Sequence, residues 1–224
     1  MEKVRSIFIS DVHFGSSRCQ AEKLVEFLEQ FEAETLYIVG DLIDGWALRA
    51  RILWNDSYSY ALGEIIRMMR QGTKVIYVTG NHDDFLRMFA PITLGGISIV
   101  NQVIHTTILG GKFLVIHGDY VDMVTTYFAK VMHFCFRMRD RFVGLFKKKQ
   151  EFVSFSPIQI DKFVELMTGL AKKEQCDGVI AGHVHRSAMT PVGDVLYYNC
   201  GAWLNEHCTA LVEYTDGRIE LRNG

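Results

Sequence analysis

Five short runs of apolar, mostly β-branched residues recur along the chain, and each is followed closely by residues that can bind metal ions. The runs span residues 7–9, 36–39, 75–78, 113–116 and 179–180. The polar residues that follow them are Asp11, His13, Asp41, Asn81, His117, His183 and His185. Because ligands gather where the carboxyl ends of strands meet, we expect these side chains to share one edge of a sheet.

The donor types narrow the chemistry of that edge. Imidazole, carboxylate and amide groups without a thiolate suit Mn²⁺, Fe²⁺ or Zn²⁺, and we expect Mn²⁺ first. Seven ligands are too many for one catalytic ion. Two ions about 3.5 to 4 Å apart that share a carboxylate would use all seven and leave room for a bridging hydroxide as nucleophile. The pattern therefore predicts a dinuclear hydrolase of phosphate esters.

Length and composition predict one domain over residues 1–224. With 224 residues, 49% of them hydrophobic, the chain can form one sizeable core. The formal net charge of −2 gives no general attraction to nucleic acid, so a nucleic-acid partner is not expected. The oligomeric state is left open.

The cysteines and the apolar segments indicate a cytoplasmic location. The five cysteines are scattered and form no Cys-x-x-Cys pair, which favours a reducing compartment. The apolar stretch before Asp11 is too short for a signal peptide. No run approaches the roughly 20 apolar residues that span a bilayer.

The first half of the chain alternates these strand-like runs with helical patterns, which predicts βαβ units. One predicted helix covers residues 21–31, with Leu24, Phe27, Leu28 and Phe31 on one face, and another covers residues 58–69. Residues 97–116 and the region after Gly193 show short strands instead, with a hairpin turn at Gly110-Gly111. A sandwich of two mixed β-sheets flanked by helices, an α/β fold, accommodates both halves.

A mainly helical insertion is predicted over residues 120–173, with its second helix starting near Ser156-Pro157 and ending near Lys173. Its first part has one apolar helix face, further phenylalanines, and a cluster of arginines and lysines within residues 134–149. One interpretation is a helix packed on its own domain. The other is a lid that receives acyl chains or lies on the inner face of the cytoplasmic membrane, as a peripheral contact.

Taken singly, each polar block is more typical of a turn than of a metal site. Asp11 and His13 are two residues apart, so in extended backbone their side chains would point the same way. Gly40 would let the backbone approach the ions. All five blocks occur one after another, each at the end of a predicted strand. This combination favours a functional interpretation over a purely structural one.

The five blocks together resemble the calcineurin-like metallophosphoesterase superfamily. Its Asp-x-His, Gly-Asp-x-x-Asp, Gly-Asn-His-Asp, His-Gly and Gly-His-x-His motifs all occur in order between residues 11 and 185. The resemblance implies a four-layer αββα sandwich with a dinuclear centre. By that resemblance Asp11, His13 and His185 hold one ion, Asn81, His117 and His183 hold the other, and Asp41 bridges them. Asp44 and Asp83 match positions that contact the ligands rather than the ions.

Within the superfamily, the chain resembles the UDP-2,3-diacylglucosamine hydrolases of bacterial lipid A synthesis. The similarity lies in residues 43–46, in the helical insertion after residues 117–119, and in Gly201-Ala202-Trp203. Those hydrolases typically carry Arg where this chain has His82. The difference favours a sister group with its own substrate.

The remaining candidates surround the predicted ions. His82 would stabilise or protonate the leaving oxygen, and Asp83 would orient His82; the alternative for His82 is a packing role. Trp46, Arg49 and Arg51 follow Asp41 closely enough to reach a base or a diphosphate. The alternative is a core tryptophan beside surface arginines.

The leading functional hypothesis is a pyrophosphatase that cleaves UDP-2,3-diacylglucosamine or a related nucleotide-linked lipid. Its products would be a nucleoside monophosphate and a lipid phosphate. One alternative is a soluble phosphodiesterase acting on cyclic nucleotides or other phosphodiesters. The other is a scaffold that keeps the fold without activity, although such a protein would be expected to lose ligands and this chain has all seven.

Overall fold

In the computed structural model of the protein, residues 1–50, 54–119 and 155–224 are described. The strands are β1 (Glu2–Ile9), β2 (Phe31–Val39), β3 (Lys74–Val78), β4 (Ile92–Leu94), β5 (Ile97–Val100), β6 (Gln102–Thr106), β7 (Lys112–Ile116), β8 (Gly178–Ala181), β9 (Ala188–Val192), β10 (Val195–Asn199), β11 (Trp203–Leu204), β12 (His207–Tyr214) and β13 (Ile219–Asn223). The helices are α1 (Ala21–Leu28), α2 (Gly45–Ala50), α3 (Asp56–Arg70) and α4 (Pro157–Lys173), with a 3-10 helix at Asp84–Phe89.

The strands form two mixed sheets, as the sequence predicts. The first has the order β11-β12-β1-β2-β3-β5-β4, with β13 also paired to β12. Strands β1, β2, β3 and β5 run parallel, while β4 and β12 are antiparallel to their neighbours. The second sheet has the order β6-β7-β8-β10-β9, with β7, β8 and β10 parallel. The ligand-bearing strands β1, β2, β3, β7 and β8 are therefore all parallel to a neighbour in their sheet.

Alternation of side chains along the strands produces separate apolar cores on the two faces of each sheet. In β2, Leu36 and Ile38 pack on the side of α1 and α3, whereas Tyr37 and Val39 pack in the core that Phe113 of β7 also joins. The outer face of the second sheet forms a third core with α4. Three cores separate four layers, which confirms the predicted αββα sandwich.

The first predicted helix is too long at its carboxyl end. Helix α1 ends at Leu28, and Phe31 is instead the first residue of β2, where it is paired with Glu2 of β1. The rings of Phe27 and Phe31 still lie 5.1 Å apart in one core. Phe31 follows the helical spacing of Leu24, Phe27 and Leu28 because its side chain packs in the same core as theirs. Its backbone is nevertheless extended, because it pairs with β1.

The other two predicted helices and the predicted hairpin are confirmed. Helix α3 starts after Asn55, whose side chain accepts a hydrogen bond from the Tyr58 N–H, and α4 starts after Ser156 with a capping box. The chain reverses between β6 and β7, where Gly110 has a positive φ of 90°.

The position of helix α4 differs from the prediction that all of residues 120–173 form a lid. Its buried residues Phe163, Met167 and Ala171 pack against the second sheet, so this stretch is a layer of the fold rather than a lid. Residues 120–154, which include the basic segment 134–149, lie outside the described residues, and the lid remains a prediction for them. Among the described helices, none has the length and apolar character needed to cross a membrane.

A buried polar network joins the two sheets beside the middle of β1. Glu213 of β12 is fully buried and receives hydrogen bonds from His105 of β6 and from the Ile108 N–H. Its carboxylate also lies 3.4 Å from Nε of Arg5. Burial raises the pKa of Glu213, but these hydrogen bonds and charges outweigh it and hold the pKa below its usual value. The buried Glu213 carboxylate of the first sheet is therefore held by His105 of the second sheet, beside the middle of β1.

Candidate metal centre

Most of the predicted ligands lie in left-handed turns directly after the strands. The φ angles are 53° at Asp11, 55° at His13, 54° at Asp41, 70° at His183 and 54° at His185. The extended geometry expected for the Asp11 to His13 segment is therefore wrong, and a left-handed turn presents both side chains instead. Asp and His adopt this conformation more readily than most residues, and hydrogen bonds to the turn after β2 stabilise it here, from the Asp11 N–H to the Gly40 carbonyl and from the His13 N–H to the Asp41 carbonyl.

Gly40 permits the close approach of the two sheets. A Cβ added to it would lie 2.3 Å from Nδ1 of His117. That nitrogen donates a 2.8 Å hydrogen bond to the carbonyl of Val39, which joins the end of β7 to the end of β2. Gly40 therefore makes room for His117 from the other sheet. The prediction from sequence was the more general one that Gly40 lets the backbone approach the ions.

The first donor group combines Asp11, His13 and His185, whose ligand atoms all lie within 4.8 Å of one another. Nε2 of His13 lies 3.3 Å from Nε2 of His185, and the latter lies 3.0 Å from Oδ1 of Asp11. The other oxygen, Oδ2 of Asp11, accepts a hydrogen bond from the His183 N–H. Asp11 thus contributes one oxygen to the group and fixes the histidine loop with the other.

The second donor group combines Asp41, His117 and His183, again within 4.8 Å. Nε2 of His117 lies 3.2 Å from Oδ2 of Asp41 and 3.3 Å from Oδ1 of Asn81. All four residues expected near the second ion, counting the bridging Asp41, are therefore assembled here.

Asp41 lies between the two groups. Its Oδ2 is 3.2 Å from Nε2 of His117 and 3.8 Å from Nε2 of His13. Its Oδ1 accepts a 2.8 Å hydrogen bond from the His82 N–H, which fixes the carboxylate. A Cβ added to Gly80 would lie 2.1 Å from this oxygen, so the turn after β3 also needs glycine.

The chemistry of the donor set fits divalent cations. With Nδ1 of His117 donating to a carbonyl, a neutral ring carries its lone pair on Nε2, where Asp41 and Asn81 oxygens converge. Oδ1 of Asp11 is buried and makes no hydrogen bond to any described residue. Convergent lone pairs without intervening protons repel each other, and a cation removes that repulsion.

The pKa shifts of the donor residues also indicate a site of negative charge. Burial lowers the pKa of His117, but the carboxylates of Asp41 and Asp11 raise it well above its usual value. Burial likewise opposes the rise at His13, where the carboxylates of Asp11, 3.8 Å from Nε2, and Asp44, 3.6 Å from Nδ1, bring the pKa to about 9. Burial raises the pKa of Asp41, yet the His117 charge lowers it to about 2. Protons are therefore drawn to positions that a cation would otherwise fill.

The group that orients His82 is Asp44 and not Asp83. Nδ1 of His82 lies 3.0 Å from Oδ1 of Asp44. The carboxylate of Asp83 is fully buried and accepts instead from the Tyr77 hydroxyl and the backbone N–H groups of Gly80 and Leu42. Asp83 is therefore a structural support of the turn after β3, and the predicted contact with His82 is wrong.

Of the predicted substrate contacts, Trp46 can be placed. Its side chain is 44% exposed, which rules out a core position, and its ring centroid lies 4.1 Å from that of His82. The side chain of Arg49 and the whole of Arg51 lie outside the described residues.

Asn199 supports the histidine loop that carries His183 and His185, and it is not among the residues predicted from sequence. Its buried amide donates to the carbonyl of Gly182 at 2.8 Å and accepts from the Gly201 N–H at 3.0 Å. A polar residue followed by Cys200-Gly201 at the end of a buried strand is the pattern of the other blocks, and that signal was available.

The comparisons with known proteins agree with this site. Residues 4–187 match the family model of the calcineurin-like phosphoesterases. The chain belongs to this family. Members of the family act on phosphate esters, so the protein is a phosphoesterase, and the family implies divalent metal ions.

Curated relatives of this phosphoesterase include UDP-2,3-diacylglucosamine hydrolases. The protein of Shewanella sp. (strain ANA-3) is 25% identical over 209 residues, which cover 83% of this chain and 84% of the relative. The protein of Vibrio vulnificus (strain YJ016) is 31% identical over 140 residues, 57% of this chain and 54% of the relative. The solved structure of an archaeal phosphodiesterase shares the fold, with a TM-score of 0.51, 17% identity and coverage of 97% of this chain and 98% of that one.

The close approach at Gly40 gives a test of the metal centre. We expect Gly40→Ala to lower the bound metal because its Cβ would displace His117. Metal content of the purified variant, measured by inductively coupled plasma mass spectrometry, checks this. Gly110→Ala is the matched control, because Gly110 also has a positive φ, 90° against 80° at Gly40, and a Cβ there meets nothing within 4 Å. Equal metal content in Gly40→Ala and the wild type would contradict the role of this approach.

Proposed function

We propose that the protein is a metal-dependent hydrolase of phosphate esters and pyrophosphates that uses a dinuclear centre. The observation that carries the proposal is the position of Asp41 Oδ2 between two donor groups, 3.2 Å from His117 Nε2 and 3.8 Å from His13 Nε2. Asp11, His13 and His185 would hold one ion. Asn81, His117 and His183 would hold the other, and Asp41 would contact both.

Two bound divalent ions would supply the positive charge that stabilises the phosphoryl oxygens during hydrolysis at neutral pH. Mn²⁺ is the first candidate, with Fe²⁺ and Zn²⁺ as alternatives, because the donors are imidazole, carboxylate and amide groups.

His82 is the proposed proton donor to the leaving oxygen. Its Nδ1 lies against Asp44, so Nε2 is the nitrogen available to a substrate. The neighbouring imidazole of His13, at 3.6 Å, and the hydrogen bond to His82, at 3.0 Å, hold the pKa of Asp44 below its usual range although burial acts in the opposite direction, so Asp44 is ionised. A carboxylate that holds Nδ1 fixes the ring so that Nε2 can face the leaving oxygen.

The proposed substrate is UDP-2,3-diacylglucosamine or a related nucleotide-linked lipid, cleaved to a nucleoside monophosphate and a lipid phosphate. Support comes from the names of relatives that align with 83% and 57% of this chain. Trp46, half exposed beside His82, offers a flat surface to a base or sugar, and Arg49 and Arg51 are the proposed diphosphate contacts from sequence alone. His82 in place of the usual Arg favours a related rather than an identical substrate.

A location in the cytoplasm, with peripheral contact between residues 134–149 and the inner face of the membrane, is proposed from sequence alone. The phenylalanines and basic residues of this segment have the composition of an interfacial helix.

His82→Ala tests the proposed proton donor. We expect kcat to fall by about 10² to 10⁴, the usual contribution of a general acid, with unchanged metal content. Steady-state kinetics on bis-p-nitrophenyl phosphate and metal analysis check this. Turnover close to the wild-type value with intact metal would refute the role of His82.

Product analysis tests the substrate. The Mn²⁺-loaded protein is incubated with UDP-2,3-diacylglucosamine, other UDP-sugar lipids, cyclic nucleotides and simple phosphodiesters, and products are identified by mass spectrometry. We expect UMP and a lipid phosphate. Turnover confined to cyclic nucleotides or diesters would support the alternative phosphodiesterase, and a metal-free, inactive protein would support a scaffold.

Liposome flotation tests the membrane contact. We expect the wild type to float with anionic vesicles, and a variant with Phe142, Phe146, Lys147, Lys148 and Lys149 replaced to float less, because apolar insertion and charge attraction are both removed. Neutral vesicles serve as the control. Equal flotation of the two proteins would remove the membrane claim.

A further inference from the structure

The segment Asp44-Gly45-Trp46, where α2 begins, surrounds His82 on several sides. Asp44 contacts the edge of the imidazole through Oδ1 and Nδ1 at 3.0 Å. The indole of Trp46 lies over its face, with ring centroids 4.1 Å apart and the planes inclined by 34°. A second imidazole, that of His13, meets His82 edge to face at 4.5 Å.

The backbone of the same segment is also joined to His82. The Gly45 N–H donates to the His82 carbonyl at 3.0 Å. A Cβ added to Gly45 would lie 2.7 Å from that carbonyl oxygen, so only glycine allows this spacing. The Ala47 N–H donates to Oδ1 of Asp44 at 2.8 Å, which fixes the carboxylate in the first turn of α2.

From these contacts we infer that Trp46 is a positioning residue for His82, which it holds by packing on the imidazole face. Asp44 determines that Nδ1 of His82 is the hydrogen-bonded nitrogen. A single hydrogen bond, however, still allows the imidazole plane to tilt about that contact. Packing on the face restricts this tilting and directs Nε2 to one place. The inference rests on the proposed role of His82, and it assigns Trp46 an action through His82 in addition to any contact with substrate.

The structure offers a matched control. Trp54 is exposed to nearly the same degree as Trp46, 43% against 44%. Its indole packs on Phe14 and Tyr58 and donates to the hydroxyl of Ser59. Within the described part of the chain, it has no ring contact with His82. Trp54→Ala therefore removes an indole of equal exposure without removing the imidazole contact.

A double-mutant cycle on the Mn²⁺-loaded protein tests the inference. In the wild-type background we expect Trp46→Ala to lower kcat on bis-p-nitrophenyl phosphate about tenfold or more, since a misplaced reacting group has effects on this scale, with KM unchanged. In a His82→Ala background the same change should alter kcat less than about twofold, because the group it positions is gone. Trp46→Phe, which keeps a ring face, should recover most of the activity, and Trp54→Ala should leave kcat unchanged.

A second measurement does not depend on activity. The rate at which diethyl pyrocarbonate modifies His82, followed by peptide mass spectrometry, should rise several-fold in Trp46→Ala and stay unchanged in Trp54→Ala, because only the former uncovers the ring. Metal content and melting temperature, measured for every variant, identify any variant that fails to fold.

The outcomes separate the two hypotheses. If Trp46→Ala raises KM by the same factor in both backgrounds, or leaves the modification rate of His82 unchanged, the positioning role is wrong. If His82→Ala retains wild-type kcat, the proposed function of His82 fails, and the modification rates still decide whether Trp46 holds the ring.

Discussion

The contact between Gly40 and His117 is the constraint on which the site depends. It joins the end of β2 in one sheet to the end of β7 in the other, at a distance that leaves no room for a Cβ. Through it the Asp41 carboxylate of the first sheet comes within reach of His117 and His183 of the second. A sandwich with wider spacing at this edge would keep the same residues at its strand ends but would hold two separate half-sites.

Much of the fold and the donor set can be predicted from sequence because both depend on short-range periodicity. Apolar runs with a period of two form strands, and polar residues just beyond parallel strands gather at one edge. The predicted ligands Asp11, Asp41 and His117 accordingly lie together. The end of α1 was not predictable in the same way, because Phe31 satisfies the helical spacing and the strand pairing equally well, and only the position of β1 decides between them.

Contacts between segments distant in sequence explain the error about the partner of His82. Asp83 is adjacent to His82 in the chain, so it was the natural candidate to orient the imidazole. Its carboxylate, however, is surrounded by Tyr77 and two backbone N–H groups, which satisfy it fully. Asp44 lies 38 residues away from His82 and reaches it only because α2 packs against the turn after β3. Such a partner becomes visible only when the two segments are seen side by side.

Each donor group draws on both sheets. Asp11 and His13 come from the first sheet and His185 from the second, and the Asp41 group is divided in the same way. Bound ions would therefore cross-link the two sheets of the sandwich in addition to taking part in catalysis. A ligand that binds only the folded state contributes about 2.7 kcal/mol of stability at a hundredfold excess over its dissociation constant. The supply of metal would then set what fraction of the protein is folded, and loss of the ions would loosen the architecture at the edge where the chemistry takes place.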